Sequence, residues 1–220
     1  MDKPFRLPLF PLHTVLFPGQ PLPLRVFEPR YRRLVERCLE QNTGFGVVLI
    51  HEGREVYGPA IPCTVGTIAR IVRHQQVENG QMQLGAVGQR RFRIFDLVDI
   101  EPYLEAMAVL WPWAPEPTPS HRLIDTVGAR LRRYVAALAN TVPSVLSPEA
   151  LPRDAATLGI LAAVVLQISL SEKQSLLETD TAAALLSQAS ALLRRHTRIA
   201  EHMNVFQPIG PREFERISWN

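Results

Sequence analysis

Two periodicities divide the chain. Up to about residue 118 the apolar residues come in short runs separated by Gly, Pro and Asn: Leu7–Leu12, Val15–Phe17, Leu22–Phe27, Phe45–Ile50, Val65–Val72, Met82–Val87, Phe92–Ile100 and Tyr103–Leu110. Runs of this length between turn residues read as β-strands. Glu78-Asn79-Gly80 lies between two of them, and Asn-Gly suits a hairpin turn that needs positive φ at both central residues. One helix interrupts the strands. Pro29 fits a first helical position, and Tyr31, Leu34, Val35, Cys38 and Leu39 then recur on one face, with Asn42–Gly44 ending the segment.

From residue 119 the spacing becomes helical. Leu123, Ile124, Val127, Leu131, Tyr134, Val135 and Leu138 form one stripe. A second helix, capped by Asp154, is apolar on nearly every side through Leu170, the pattern of a buried central helix. Ser171-Glu-Lys-Gln174 fits a capping box for a third helix reaching Leu177. A fourth spans 181–204, with Arg194, Arg195 and Arg198 towards its C-terminal half, where the helix dipole favours cations. Between the two patterns lies WPWAPEPTPS (111–120), whose Pro112, Pro115, Pro117 and Pro119 make it extended and stiff. The expected organisation is a β subdomain over 1–118, a helical subdomain over 119–204 and an extension over 205–220.

Composition adds mainly exclusions. With 220 residues, 46% hydrophobic and 20% charged, the chain belongs to the globular class. A net charge of +3 is too small to argue by itself for a polyanion partner. Cys38 and Cys63 are the two cysteines, which excludes a disulfide framework and a four-cysteine zinc site. Cys38 reads as a small buried hydrophobe. The N-terminal apolar residues are broken by Pro4, Pro8, Pro11 and Pro18, so no signal peptide is expected. The uncharged run Ala155–Leu170 falls short of the roughly 20 apolar residues of a membrane span. A cytoplasmic protein without membrane association is expected.

Lys3 and Lys173 are the two lysines and no GxxxxGK[ST] occurs, so a phosphate-cradling loop of that kind is absent. Lys173 and Ser175 are two apart on a helix and face different ways. No HExxH or CxxC is present. Neither catalytic residues nor cofactor or metal ligands are expected. Arginine interleaved with aromatics is the remaining chemistry: Arg30, Arg32 and Arg33 flank Tyr31, and Arg90, Arg91 and Arg93 flank Phe92. Such clusters can hold RNA backbone and stack bases. The plainer expectation is that Phe92 and Ile94 point inward while Arg91 and Arg93 face solvent or pair with carboxylates, which makes Arg91 dispensable for stability.

The stretches LPLFPLHTVLFPGQPLPLRVFEPRYRRLVERCL (7–39), FGVVLI (45–50), VGTIARIVR (65–73) and GQMQLGAVGQRRFRI (80–94) resemble the N-terminal substrate-binding domain of Lon proteases. They look in particular like short bacterial proteins made of that domain only. ISLSEKQSLLETDTAAALLSQASALLRRH (168–196) resembles the family's helical segment with its KQ-x-LLE signature. The resemblance implies an α+β fold, in which a PUA-like β-barrel subdomain containing one helix is followed by a C-terminal α-helical bundle. It also implies a non-enzymatic module that binds unfolded polypeptide segments or a protein partner, a separate full-length Lon protease among the partners considered. The ATPase and serine-lysine protease domains of the full protease have no room in 220 residues, so neither activity is expected. The residues expected to touch a polypeptide are Phe27, Arg30, Tyr31, Tyr57, Trp111 and Trp113. The alternative, an RNA-binding strand surface, uses Arg90, Arg91 and Arg93. In FPG (17–19), proline then glycine suits a type II turn with Gly19 at positive φ, and Gly66 and Gly88 mark places where backbones come close.

Overall fold

The computed structural model describes residues 3–53, 60–77, 81–99, 101–138 and 151–205. Six strands, β1 (Phe5–Leu12), β2 (Pro21–Val26), β3 (Phe45–Gly53), β4 (Ala60–Gln76), β5 (Met82–Asp99) and β6 (Glu105–Leu110), enclose one helix in sequence, α1 (Pro29–Glu40). Four helices follow: α2 (His121–Leu138), α3 (Ala155–Val165), α4 (Leu170–Leu177) and α5 (Ala182–Val205). The fold is α+β.

The strand order is β2-β5-β4-β3-β1-β6, with β5 also paired to β6. β1 and β3 are parallel and the other pairs antiparallel. The pairings β1–β3–β4–β5–β6–β1 thus come round on themselves, but only as a partial barrel. The half of β5 over Met82–Val87 leaves the ring to carry β2, while Phe92–Asp99 pairs with β6. The runs Met82–Val87 and Phe92–Ile100, expected as separate strands, are therefore one long bent strand over 82–99. Register shifts at Ile68/Ala69 and Ile71/Arg73 let the β4–β5 pair bend without breaking. Val15–Phe17, expected as a strand, is irregular chain instead, and its Val15 and Phe17 side chains are buried under the helices.

Close approach explains the glycines. A Cβ on Gly66 would sit 2.3 Å from the Val47 carbonyl oxygen, and one on Gly88 2.3 Å from that of Phe17. Gly19 has φ +79°, and Gln20 N–H donates to the Phe17 carbonyl at 3.1 Å, which is the type II turn. Gln76 pairs with Met82 across the β4–β5 hairpin; Glu78-Asn79-Gly80 lies outside the described residues.

α1 starts at Pro29 and buries Tyr31, Leu34, Val35 and Cys38 against a cluster that includes Phe10, Phe45, Met82 and Leu84. Tyr31 stacks on Phe10 with ring centroids 4.0 Å apart. Its far end is tied to β6: Arg37 donates to the Tyr103 hydroxyl at 2.9 Å and to the buried carboxylate of Glu105, which Arg6 of β1 also reaches.

The helices share a core with the strands. Leu131, Tyr134, Leu158, Leu176, Leu185 and Leu193 join Val15, Phe17, Leu49 and Val65 in one cluster. Two helix boundaries differ from expectation. α3 begins at its Asp154 cap but ends at Val165, not Leu170, and the capping box of α4 is Ser169 with Glu172, not Ser171 with Gln174. Ser169 satisfies α4's first N–H groups in an extended conformation, so the apolar run cannot continue as one helix.

Candidate functional site

A concavity lies where the strand ring meets the helices. β1 stops at Leu12, paired with Leu49 of β3, and the chain turns aside at His13. β3 continues: Phe45–Ile50 are buried, then His51, Glu52 and Gly53 are exposed. α4 lies opposite, oriented by its capping box and by the ion pair of Glu172 with Arg195 of α5. Between them is a groove of about 480 Å³ lined by His13, Leu49, Ile50, His51 and Cys63 on the strand side. Leu170, Ser171, Gln174, Ser175 and Glu178 line the helix side. Leu49 and Ile50 are buried in its floor, and Leu170 is 40% exposed at its edge.

Gln174 is the unusual member. Although only 5% exposed, it projects a primary amide into this junction. Its Nε2 donates to the Val65 carbonyl at 3.0 Å and to Glu178 Oε1 at 2.7 Å, which orients the amide. Its Oε1 is buried and accepts no hydrogen bond among the described residues. Buried acceptors of this kind are few in folded proteins.

Among the described residues the groove holds no assembled nucleophile. Lys173 points its Nζ to the Val164 carbonyl at 3.0 Å, while Ser175 Oγ donates to the Ser171 carbonyl at 3.0 Å. Burial pushes the Lys173 ammonium below its ordinary range. Burial, and secondarily the Glu178 charge, push the Cys63 thiol upward, away from the reactive thiolate. Among the described residues no group of three His, Cys, Asp or Glu could hold a metal ion.

The residues expected to touch a ligand fall into two other places. Phe27, 42% exposed, precedes α1, and Arg30 lies 4.6 Å over the Tyr31 ring while pairing with Glu28 at 3.0 Å. Tyr57 lies outside the described residues. Trp111 and Trp113 are half-buried against the helical core. They enclose Arg91, whose guanidinium carbon is 4.5 Å from one ring centroid and 3.6 Å from the other.

Arg91 lies on the opposite side of the sheet from the one expected. It does not face solvent: it is 2% exposed, and it donates to the carbonyls of Leu177 and Thr179 at the α4–α5 turn. Trp113 Nε1 reaches Thr179 Oγ1 at 2.9 Å, and Ala114 hydrogen-bonds the same turn. Alternation along β5 is interrupted where Arg91 and Phe92 are both buried, so period-2 logic placed Arg91 on the wrong side. Burial pushes its guanidinium down to about 9, still cationic at neutral pH. The three arginines therefore do not form one exposed row. Arg90 is exposed, Arg91 is sealed between indoles, and Arg93 lies 3.6 Å over Trp111. Period and charge did not single out the groove residues. The one sequence signal among them was Gln174, the glutamine of the KQ-x-LLE signature.

A partial strand ring and a helical bundle meet at this groove. A family model, the ATP-dependent protease La (LON) substrate-binding domain, matches residues 6–195, and the chain belongs to that family. It is 29% identical over 210 residues to Lon protease 2 of Myxococcus xanthus, covering 92% of this chain and 25% of the relative. It is also 29% identical over 215 residues to the Lon protease of Anaeromyxobacter dehalogenans, again covering 92% and 25%. The chain thus spans about a quarter of the length of these relatives, and the part matched is the substrate-binding domain. Among solved structures, the Lon N-terminal domain protein from Xanthomonas campestris superposes with TM-score 0.63 at 30% identity, over 85% of this chain and 98% of that one. The N-terminal domain of Mycobacterium avium complex Lon protease, at 16% identity, shares the fold with TM-score 0.61, over 87% and 100%. Among the described residues no helix is long and apolar enough to cross a membrane.

Proposed function

We propose that this chain holds segments of unfolded polypeptide in the groove between β3 and α4, without chemistry of its own. The observation that carries the reading is the groove itself, whose apolar floor of Leu49 and Ile50 and exposed Leu170 sit beside polar groups, as ligand sites combine them. Membership of a substrate-binding family supports the same reading, and a full-length Lon protease is the natural recipient of a segment held this way. The RNA alternative loses its central residue, because Arg91 is already committed to the Leu177 and Thr179 carbonyls.

The test is equilibrium binding of a labelled, permanently unfolded protein, such as reduced carboxymethylated lactalbumin, to the wild-type chain and to Leu170→Glu. Glutamate at the first position of α4 suits the helix dipole, so the variant should melt like the wild type. Binding that weakens about tenfold or more in the variant, and changes little between low and high salt, is expected. Binding indifferent to Leu170→Glu removes the groove from the function, and steep loss with salt would favour a polyanion surface.

A further inference from the structure

We infer that the groove reads the backbone of its ligand, by adding an extended polypeptide segment as a strand to the free edge of β3. The inference rests on the polypeptide-binding reading above and specifies how recognition is achieved. Two separate observations meet at this spot.

The first is an unpaired edge. β3 lies between β1 and β4 in the sheet, but β1 pairs with it only over Gly46–Leu49. Ile50, Glu52 and Gly53 continue to pair with β4, through Pro62, Ile61 and Ala60. On the β1 side no strand accompanies residues 50–53 among the described residues, because the chain leaves the sheet at His13. Four residues present about 13 Å of strand edge, along which the peptide groups that face away from β4 have no strand neighbour among the described residues. Open edges of this kind are the template for strand addition, in which main-chain bonds supply affinity and side-chain pockets supply preference.

The second observation is the acceptor across the groove. Gln174 Oε1 is buried, oriented by two bonds from its own Nε2, and accepts nothing among the described residues. A carboxylate or carbonyl ligand cannot satisfy it; a peptide N–H can. A strand lying on β3 offers N–H groups alternately to each side. Those facing β3 bond its edge, and one facing away is available to Gln174. An apolar side chain of the same segment then has Leu49, Ile50 and Leu170 to cover it. Such recognition depends on the main chain more than on particular side chains, which is what a holder of diverse unfolded segments requires.

The experiment alters the ligand rather than the fold. A fluorescein-labelled 12-residue peptide of Ser, Thr and Lys around one central leucine is the probe. A series of these peptides is N-methylated at one amide each, removing one N–H at a time. Fluorescence anisotropy with wild type and Leu170→Glu gives the affinities. Strand addition predicts loss of about tenfold or more, equivalent to about 1.4 kcal/mol, at the alternate amides that face β3 over a footprint of about four residues, and at one intervening amide that faces Gln174. Methylation outside that footprint should change little, and leucine exchanged for isoleucine or valine should retain binding. Binding that is sensitive to Leu170→Glu but insensitive to N-methylation at every position overturns the backbone reading and leaves the groove as an apolar pocket. Absence of binding, or binding indifferent to Leu170→Glu, overturns both.

Discussion

Arg91→Ala should be among the most destabilising single changes in this protein. The side chain makes two charge-assisted hydrogen bonds, to the Leu177 and Thr179 carbonyls, each worth about 1.5–3 kcal/mol. It lies against two indoles, each contact adding about 0.5–2 kcal/mol. Desolvation of the guanidinium opposes these gains, and Nε and Nη2 have no acceptor among the described residues, so the net worth is well below the gross sum. Truncation nevertheless leaves one buried and one partly buried carbonyl without their donor and a void between Trp111 and Trp113. A net loss of about 3–5 kcal/mol follows, as when one partner of a buried charged contact is removed. For a chain of this size that is a fall of roughly 6–20 °C in Tm. Arg91→Met, which fills the space without burying a charge, should fall between alanine and wild type. The assay is thermal and urea unfolding followed by far-UV circular dichroism and tryptophan fluorescence, with exposed Arg33→Ala as control. A midpoint for Arg91→Ala indistinguishable from that of Arg33→Ala would refute the assignment of Arg91 as the clamp between β5 and the α4–α5 turn.

Gly19→Val should cost about 1–3 kcal/mol, because φ is +79° there and a β-branched residue is strained at that angle; Gly19→Asn, better tolerated at positive φ, should cost less in the same urea titration. Trp113→Phe, which loses the bond to Thr179, should couple to Arg91→Ala in a double-mutant cycle, whereas additive effects would separate the two residues. Hydrogen bonds from Arg195 first and Ser169 second hold the Glu172 carboxyl below its ordinary value of 4.5, and bonds from Thr157 lower Asp154 from 3.8. Both native values lie below the unfolded ones, so their contribution is present above about pH 4.5 and lost as pH falls through the native values. Urea midpoints should accordingly drop between neutral pH and about pH 3.5, and Glu172→Gln should lessen the drop; an unchanged acid limb would contradict the capping box.

What the sequence showed of the fold depended on how local the cause was. Pro29 and the stripe Tyr31–Leu34–Val35–Cys38 sufficed for α1, and Phe17-Pro18-Gly19 for its turn, because each depends on neighbours in the chain. The end of α3 was misplaced because Ala155–Leu170 is apolar throughout and the competing cap, Ser169 with Glu172, lies beside another serine, Ser171. Arg91 was misread for a non-local reason: carbonyls 86 and 88 residues away and two linker tryptophans receive it. The residues lining the groove were not legible for the same reason, since His13, Ile50, Cys63 and Gln174 meet only after the strands and helices join. Only the KQ-x-LLE signature pointed towards Gln174, and it did so through family resemblance, without the unpaired acceptor that gives the residue its chemistry.

Polypeptide held between β3 and α4 would be seen by amide hydrogen exchange during binding. With reduced carboxymethylated lactalbumin bound, new protection should appear over residues 49–53 and 170–178, with little change over Phe27–Tyr31 or Arg90–Arg93. Protection confined to either of those latter segments, or none at the groove despite measurable binding, would contradict it.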